Sequence, residues 1–441
     1  MIELTNIIIQ NFLFFFLFFL PCTFVVKKFI NNNYVFDIFE NVSFNILLYL
    51  NFLLLLSYFD IGITKSLKIF IVLFLLYSLI NLINLRLYEI KKSLLRLEIV
   101  FLFITSLIIF FDIAFNLTFS WDTEKFWFEK VLNFSNGNSV ENLVNISRSH
   151  YPYFFDMIWA FFWKFSLINN EYSGRLFFGF MYLISLSLLL NLLSLKRLIK
   201  FIFILLIILS TYNYREYFSG NKEIIVFSLI SMSLYFLLKI KEKNEQNKNF
   251  NIEIVFFLLS LNLLIWTKQE GFIYLLNLIF SLVFFINIKM NKKIIIILSC
   301  CLFYLVKIFI YNYYNFNLDL KSCCYYDFTI NGIINKISLE RFFLIVFFIF
   351  FVILKNPIFI VGLFFGVLGV ISKKFLFKNF YLYSLIVTNF ISVVIIFIMT
   401  DADLEYMLKT GVERLIFMFV PVLILMIVQY YNFFNKNLIK N

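Results

Sequence analysis

"LEIVFLFITSLIIFFDIAFNLTFSWDTEKFWFEK", residues 97–130, sets a long apolar run directly against a crowded charged passage. The first part, 97–117, is apolar over the length that a helix needs to cross a bilayer, about 20 residues. The second part, 118–130, places Asp122, Glu124, Lys125, Glu129 and Lys130 among aromatic side chains. A spanning helix that ends at a membrane surface, followed by a wet loop, accommodates both parts.

The rest of the chain repeats this pattern. Of 441 residues, 62% are hydrophobic and 15% charged, and the mean hydropathy is +0.92. A soluble domain of this size could not cover so much apolar surface. Apolar runs of roughly 15–22 residues, each closed by Lys, Asn or Asp, predict an all-α polytopic transmembrane helix bundle. The 66 phenylalanines reflect a compositional bias and carry no function by themselves. A net charge of +12 suits nucleic acid in a soluble protein, but here the cations fit loops that fix orientation, so no nucleic-acid partner is expected. Neither the five cysteines nor the single histidine makes a metal signature; a disulfide at Cys323 or Cys324 is open but not required.

Basic clusters set the expected topology. Lys27–Lys28, "RLYEIKKSLLR" (86–96), "KRLIK" (196–200), "KIKEKNEQNK" (239–248), "KMNKK" (289–293), Lys373–Lys374 and the C-terminal tail read as cytoplasmic. Thirteen spans are expected: 7–26, 42–60, 66–83, 97–117, 174–195, 198–212, 223–240, 253–267, 272–289, 293–313, 357–372, 379–399 and 413–432. Parity then requires that 153–168 and 339–355 do not span. The former, with Asp156, Lys164 and Trp159/Trp163 on one face, reads as an interfacial helix. One integral membrane domain results: N-terminal helices to 96, a core over 97–312 with the exterior loop 118–173, and C-terminal helices over 313–441. Further exterior loops are expected at 213–222, 267–272, 314–338 and 400–414.

Four exterior stretches, in order, resemble the GT-C superfamily of polytopic glycosyltransferases, of the glycosyltransferase 39-like type related to protein O-mannosyltransferases and aminoarabinose transferases. They are "SWDTEKFWFEK" (120–130), "HYPYFFDMIWAFF" (150–162), "WTKQEGF" (266–272) and "TDADLEYMLKTGVERLIFMFVP" (400–421). Met407, Tyr406 and Glu223 depart from the family pattern. The resemblance implies a multi-pass cell-membrane enzyme. It would take a sugar from a polyprenyl-phosphate donor to an envelope lipid, glycan or protein acceptor on the exterior face, with inversion.

Such a transfer needs a base for the acceptor proton and cations for the departing phosphate, both at the membrane surface. Asp122 is the expected base, with Glu124 as its alternative and Trp121 and Trp127 screening it or stacking on sugar. "WDTEK" also reads as a helix start with Asp122 as N-cap. Arg414, Lys268 and Arg175 are the candidates for donor phosphate, or else snorkelling interface charges. His150, Tyr151, Glu223 and Glu405 are candidate substrate contacts. No cofactor is required, and the sequence leaves divalent-metal dependence open; Asp122 with His150 or Glu223 is a conceivable but unsupported metal set. A glycan polymerase or ligase and a non-enzymatic lipid flippase are the competing readings, but charges gather at one face, exterior Arg and His are sparse, and no internal repeat is evident.

Overall fold

The computed structural model describes residues 2–19, 38–84, 97–146, 148–195, 197–211, 218–316, 336–400 and 403–438, and these are all-α. Lys27–Lys28, the 86–96 stretch, Cys323 and Cys324, and most of the 314–338 loop lie outside the described residues. Seven helices among the described residues are long and apolar enough to cross a membrane. They are α2 (Ile38–Tyr58), α4 (Leu97–Phe115), α7 (Tyr172–Leu190), α9 (Glu223–Glu245), α12 (Met290–Tyr313), α16 (Phe380–Ile398) and the tandem of α17 (Leu404–Phe417) with α18 (Val420–Leu438). Shorter apolar helices are α1 (Ile2–Phe19), α8 (Arg197–Thr211), α10 (Asn251–Ile265) and α11 (Glu270–Phe285), and the brief α15 (Lys373–Lys378) precedes α16. Each expected span overlaps a described helix, and seven of them, or eight with the bent pair Leu339–Lys355 and Pro357–Ile371, meet the length and hydropathy of a span among the described residues.

The centre is built by α7 and α9. Every residue of α7 is buried, as is α9 from Glu223 to Leu238, and α9 packs against α7 and α10. Most of their small hydroxyls are paired in this apolar core, Ser173 being an exception among the described residues. Ser187, Ser228 and Ser231 each donate to the carbonyl one turn back, and Ser233 shares a 2.8 Å hydrogen bond with Ser260 of α10. Outer helices reverse the pattern: α12 turns Leu298, Leu302 and Leu305 outward, which suits lipid and not water.

Long-range contacts sort the loops into two ends. At one end Lys241 donates to the Lys378 carbonyl, Lys292 reaches Asn251 at 2.9 Å and Ser194 reaches Asn432 at 3.0 Å. This brings together basic stretches that were expected to share a side. At the other end the 118–123 segment meets 218–223, Glu141 meets Asp60, and Arg341 donates to the Thr400 carbonyl at 2.6 Å.

Two expectations need correction. The helix α6 (Phe154–Phe165) is not an exposed interfacial helix: Phe154 to Phe162 are buried, Asp156 included. It packs against α5 (Phe128–Ser135), α3 (Ile63–Asn84) and α7. Protein on all sides suits its aromatic content better than an open surface does. A second correction concerns α13 (Leu339–Lys355) and α14 (Pro357–Ile371), which meet at a 100° bend and together make at most one broken span. Asn356 makes the break: it caps α14 by accepting from the Ile358 N–H, and Pro357 follows at the first helical position.

Candidate functional site

The site begins where α4 ends. Ser120 accepts from the Thr123 N–H at 3.2 Å and donates to Asn221 Oδ1 at 2.6 Å, while its N–H meets the Ser219 carbonyl. These bonds stitch the charged passage to the turn that precedes α9. Gly220 makes the close approach possible. Its φ is +98°, and a Cβ there would lie 2.5 Å from the Trp159 ring and 2.6 Å from the Thr123 methyl.

Asp122 is not a helix cap. Its backbone is already helical, it caps no N–H, and a π-helical turn, Thr123–Trp127, follows it. Its carboxylate instead receives Arg414 Nη1 from α17. Glu223, buried at the start of α9, holds Lys268 Nζ at 2.8 Å through Oε1, and the same oxygen lies 3.8 Å from Arg414 Nε. Glu270 stands 3.9 Å from Lys268. An alternating row results: Asp122, Arg414, Glu223, Lys268, Glu270. Glu223 is its centre, because one buried carboxylate keeps two cations close that would otherwise repel. Burial works against the charge on Lys268, but Glu223 and Glu270 more than offset it and hold the ammonium above its usual range.

The row is buried in its middle and open at one end. The Asp122 and Arg414 side chains are 21% and 23% exposed, and Trp121 beside them is 56% exposed. Trp121 touches only Phe126 among the ring contacts of the described residues, at 5.5 Å, edge to face. Glu124 is also exposed.

Other expected residues go elsewhere. Trp127 does not screen Asp122; it is buried, with Lys222 Nζ 3.7 Å from its ring centre and Tyr151 against its edge. Arg175 is buried, and its guanidinium is held by both oxygens of Glu171 and by the carbonyls of Asn116 and Phe218. Glu405 pairs on the surface with Lys409 at 2.6 Å, one turn along α17. His150 is buried, with Nε2 lacking a hydrogen-bond partner among the described residues. Burial first, and then Lys130 and Arg148, lower its pKa to about 4.

A second buried group escaped the sequence reading. Lys222 Nζ donates to Asp156 Oδ2 at 2.9 Å and to the Pro152 carbonyl at 2.8 Å, and Lys130 Nζ donates to the Tyr151 carbonyl at 2.7 Å. Burial dominates all three, pushing Asp156 up and both lysines down despite their mutual attraction. Lys222 immediately precedes Glu223, so its bonds anchor the start of α9 and thereby the centre of the row. The only signal in the sequence was the ionisable Asp156 inside an apolar helix.

Among the described residues no group of three His, Cys, Asp or Glu side chains could hold a metal ion. Comparison with protein-family models, curated proteins and solved structures finds no match.

Proposed function

We propose that the chain is a membrane glycosyltransferase that moves a sugar from a polyprenyl-phosphate carrier to a hydroxyl of an envelope acceptor at the outer membrane surface. The observation that supports this most is the open end of the row. A carboxylate, a guanidinium and an exposed indole meet there on segments that a bundle of apolar helices carries.

The chemistry divides among these groups. The acceptor oxygen attacks the anomeric carbon opposite the phosphate, the bond from that carbon to the phosphate oxygen breaks, and its electron pair leaves on the phosphate. Configuration inverts. Arg414, with Lys268 behind it, meets the growing phosphate charge; a guanidinium can hold two phosphate oxygens and keeps its proton. Asp122 takes the acceptor proton. Donor phosphate that engages Arg414 draws the guanidinium off Asp122 and leaves that carboxylate free for the acceptor. Trp121 offers a ring face to the sugar. Glu223 is the clamp between the two cations in this reading, not a substrate contact.

The test is turnover of a radiolabelled polyprenyl-phosphate sugar by the purified protein in proteoliposomes. Label should pass to an added envelope extract that supplies the acceptor, and Arg414→Gln should abolish the transfer while the protein inserts normally. Turnover that persists in Arg414→Gln and Asp122→Asn alike would overturn the reading.

A further inference from the structure

A separate cavity of about 760 Å³ opens at the same end of the bundle, between the C-terminus of α2, the 3₁₀ turn Glu141–Asn145 and the C-terminus of α12. Aromatic side chains make its walls and rim. Tyr58 and Tyr314 are joined by the Tyr314 hydroxyl, which donates to the Tyr58 carbonyl at 3.2 Å. Phe309 and Tyr313 stack one turn apart at 6.2 Å. Phe59, Phe309 and Tyr313 are all more than 60% exposed. An exposed aromatic strip in the last turn of an apolar helix sits at headgroup depth.

Two carboxylates, Asp60 and Glu141, complete the lining. Asp60 Oδ1 accepts the Glu141 N–H at 3.2 Å, which ties the two acidic positions together. Among the described residues neither pairs with a Lys or Arg, and none of the lining residues is a cation. Burial, then Asp60, Tyr313 and Glu141, push the Tyr314 phenol up to about 12, so both carboxylates act on the same wall.

We infer that this cavity binds the ammonium headgroup of a membrane lipid, of the ethanolamine type. Aromatic faces attract a cation, and Asp60 and Glu141 accept its N–H donors. The exposed Phe59 and Phe309 meet the glycerol and acyl region. Two carboxylates with no cation beside them among the described residues disfavour an anionic headgroup, and an ammonium supplies their counter-charge. Transfer of sugar is not needed for this site, which shares no residue with the Asp122 row.

The full-length protein, purified in nanodiscs with equal amounts of phosphatidylethanolamine and phosphatidylglycerol, provides the test. Native mass spectrometry counts the lipid that survives detergent washing. Phosphatidylethanolamine should be retained about tenfold over phosphatidylglycerol, the scale of a charge-assisted hydrogen bond. Asp60→Asn with Glu141→Gln should remove the preference; Asn tolerates the left-handed φ of +54° at position 60 and still accepts the Glu141 N–H. Should that pair fold poorly, Glu141→Gln alone, on an exposed side chain, should weaken it. Equal retention of both lipids, or a preference untouched by these substitutions, would sink the proposal. Binding of free ethanolamine with neither lipid retained would overturn the lipid assignment in favour of a soluble amine.

Discussion

Arg414 donates to Asp122 across 292 positions of sequence, and the pair stands partly in the open at the edge of a buried row of charge. Its role separates cleanly from its contribution to stability. A partly exposed ion pair is worth about 1 kcal/mol or less. Asp122→Asn keeps the size and can still accept from Arg414, so the melting temperature should hardly move. Sugar transfer should fall by about 10²–10⁴-fold, the loss typical for a missing general base. Glu124→Gln should be milder. If Glu124→Gln were silent and Asp122→Asn equally so, the base would have to be sought elsewhere.

A charge swap sharpens the point. Asp122→Arg combined with Arg414→Asp restores the ion pair in reverse. Stability should recover relative to Arg414→Asp alone, which gathers carboxylates beside Glu223 without their cation, and activity should not, because base and phosphate ligand have exchanged places. Recovery of both would mean that the pair is structural only.

Glu223 should behave in the opposite way. Replacing it with Gln leaves the buried Lys268 and the partly exposed Arg414 close together without their shared carboxylate. Breaking a buried pair costs about 3–5 kcal/mol, and this should appear in chemical or thermal denaturation. Adding Lys268→Met to Glu223→Gln removes one stranded cation and should return part of the loss.

Gly220→Ala should destabilise by about 1–3 kcal/mol, from a left-handed backbone together with overpacking against Trp159. Ser120→Ala, which loses the bond to Asn221 but adds no atoms, should be less severe. A thermal shift series ranks the two.

His150, the only histidine, gives a direct pH readout. Its folded pKa of about 4 lies below the ordinary 6.5, so the unfolded chain takes up the proton first. Stability should therefore fall as pH drops from about 6.5 to about 4, and His150→Phe should flatten that part of the curve. The imidazole proton resonances should show no titration near pH 6.5.

Much of the helical layout was legible because apolar runs and basic punctuation both act through the solvent, and the solvent is visible in composition. That Asp122, Arg414, Glu223 and Lys268 share an end was legible for the same reason. What each cation does there was not. Arg175 and Lys268 both lie near the start of a helix, yet Arg175 is consumed by Glu171 one turn back and by two carbonyls. Lys268 meets a carboxylate 45 positions away. Lys222 next to Glu223 reads in sequence as two interface charges, but the two side chains diverge, one to Asp156 and the other to Lys268. Only tertiary packing decides that divergence. The burial of α6 was missed because a tryptophan stripe looks the same whether lipid or protein covers it.

The stitch from Ser120 to Asn221 carries a mechanical consequence. Asp122 and Glu223 are registered by contacts between two loop segments, one after α4 and one before α9, and not by the lengths of those helices. When α4 and α9 tilt to match a thicker or thinner bilayer, the two loop segments travel as one piece. The spacing between carboxylate and clamp is thereby insulated from hydrophobic mismatch, and membranes of different thickness should leave the shape of the open end unchanged.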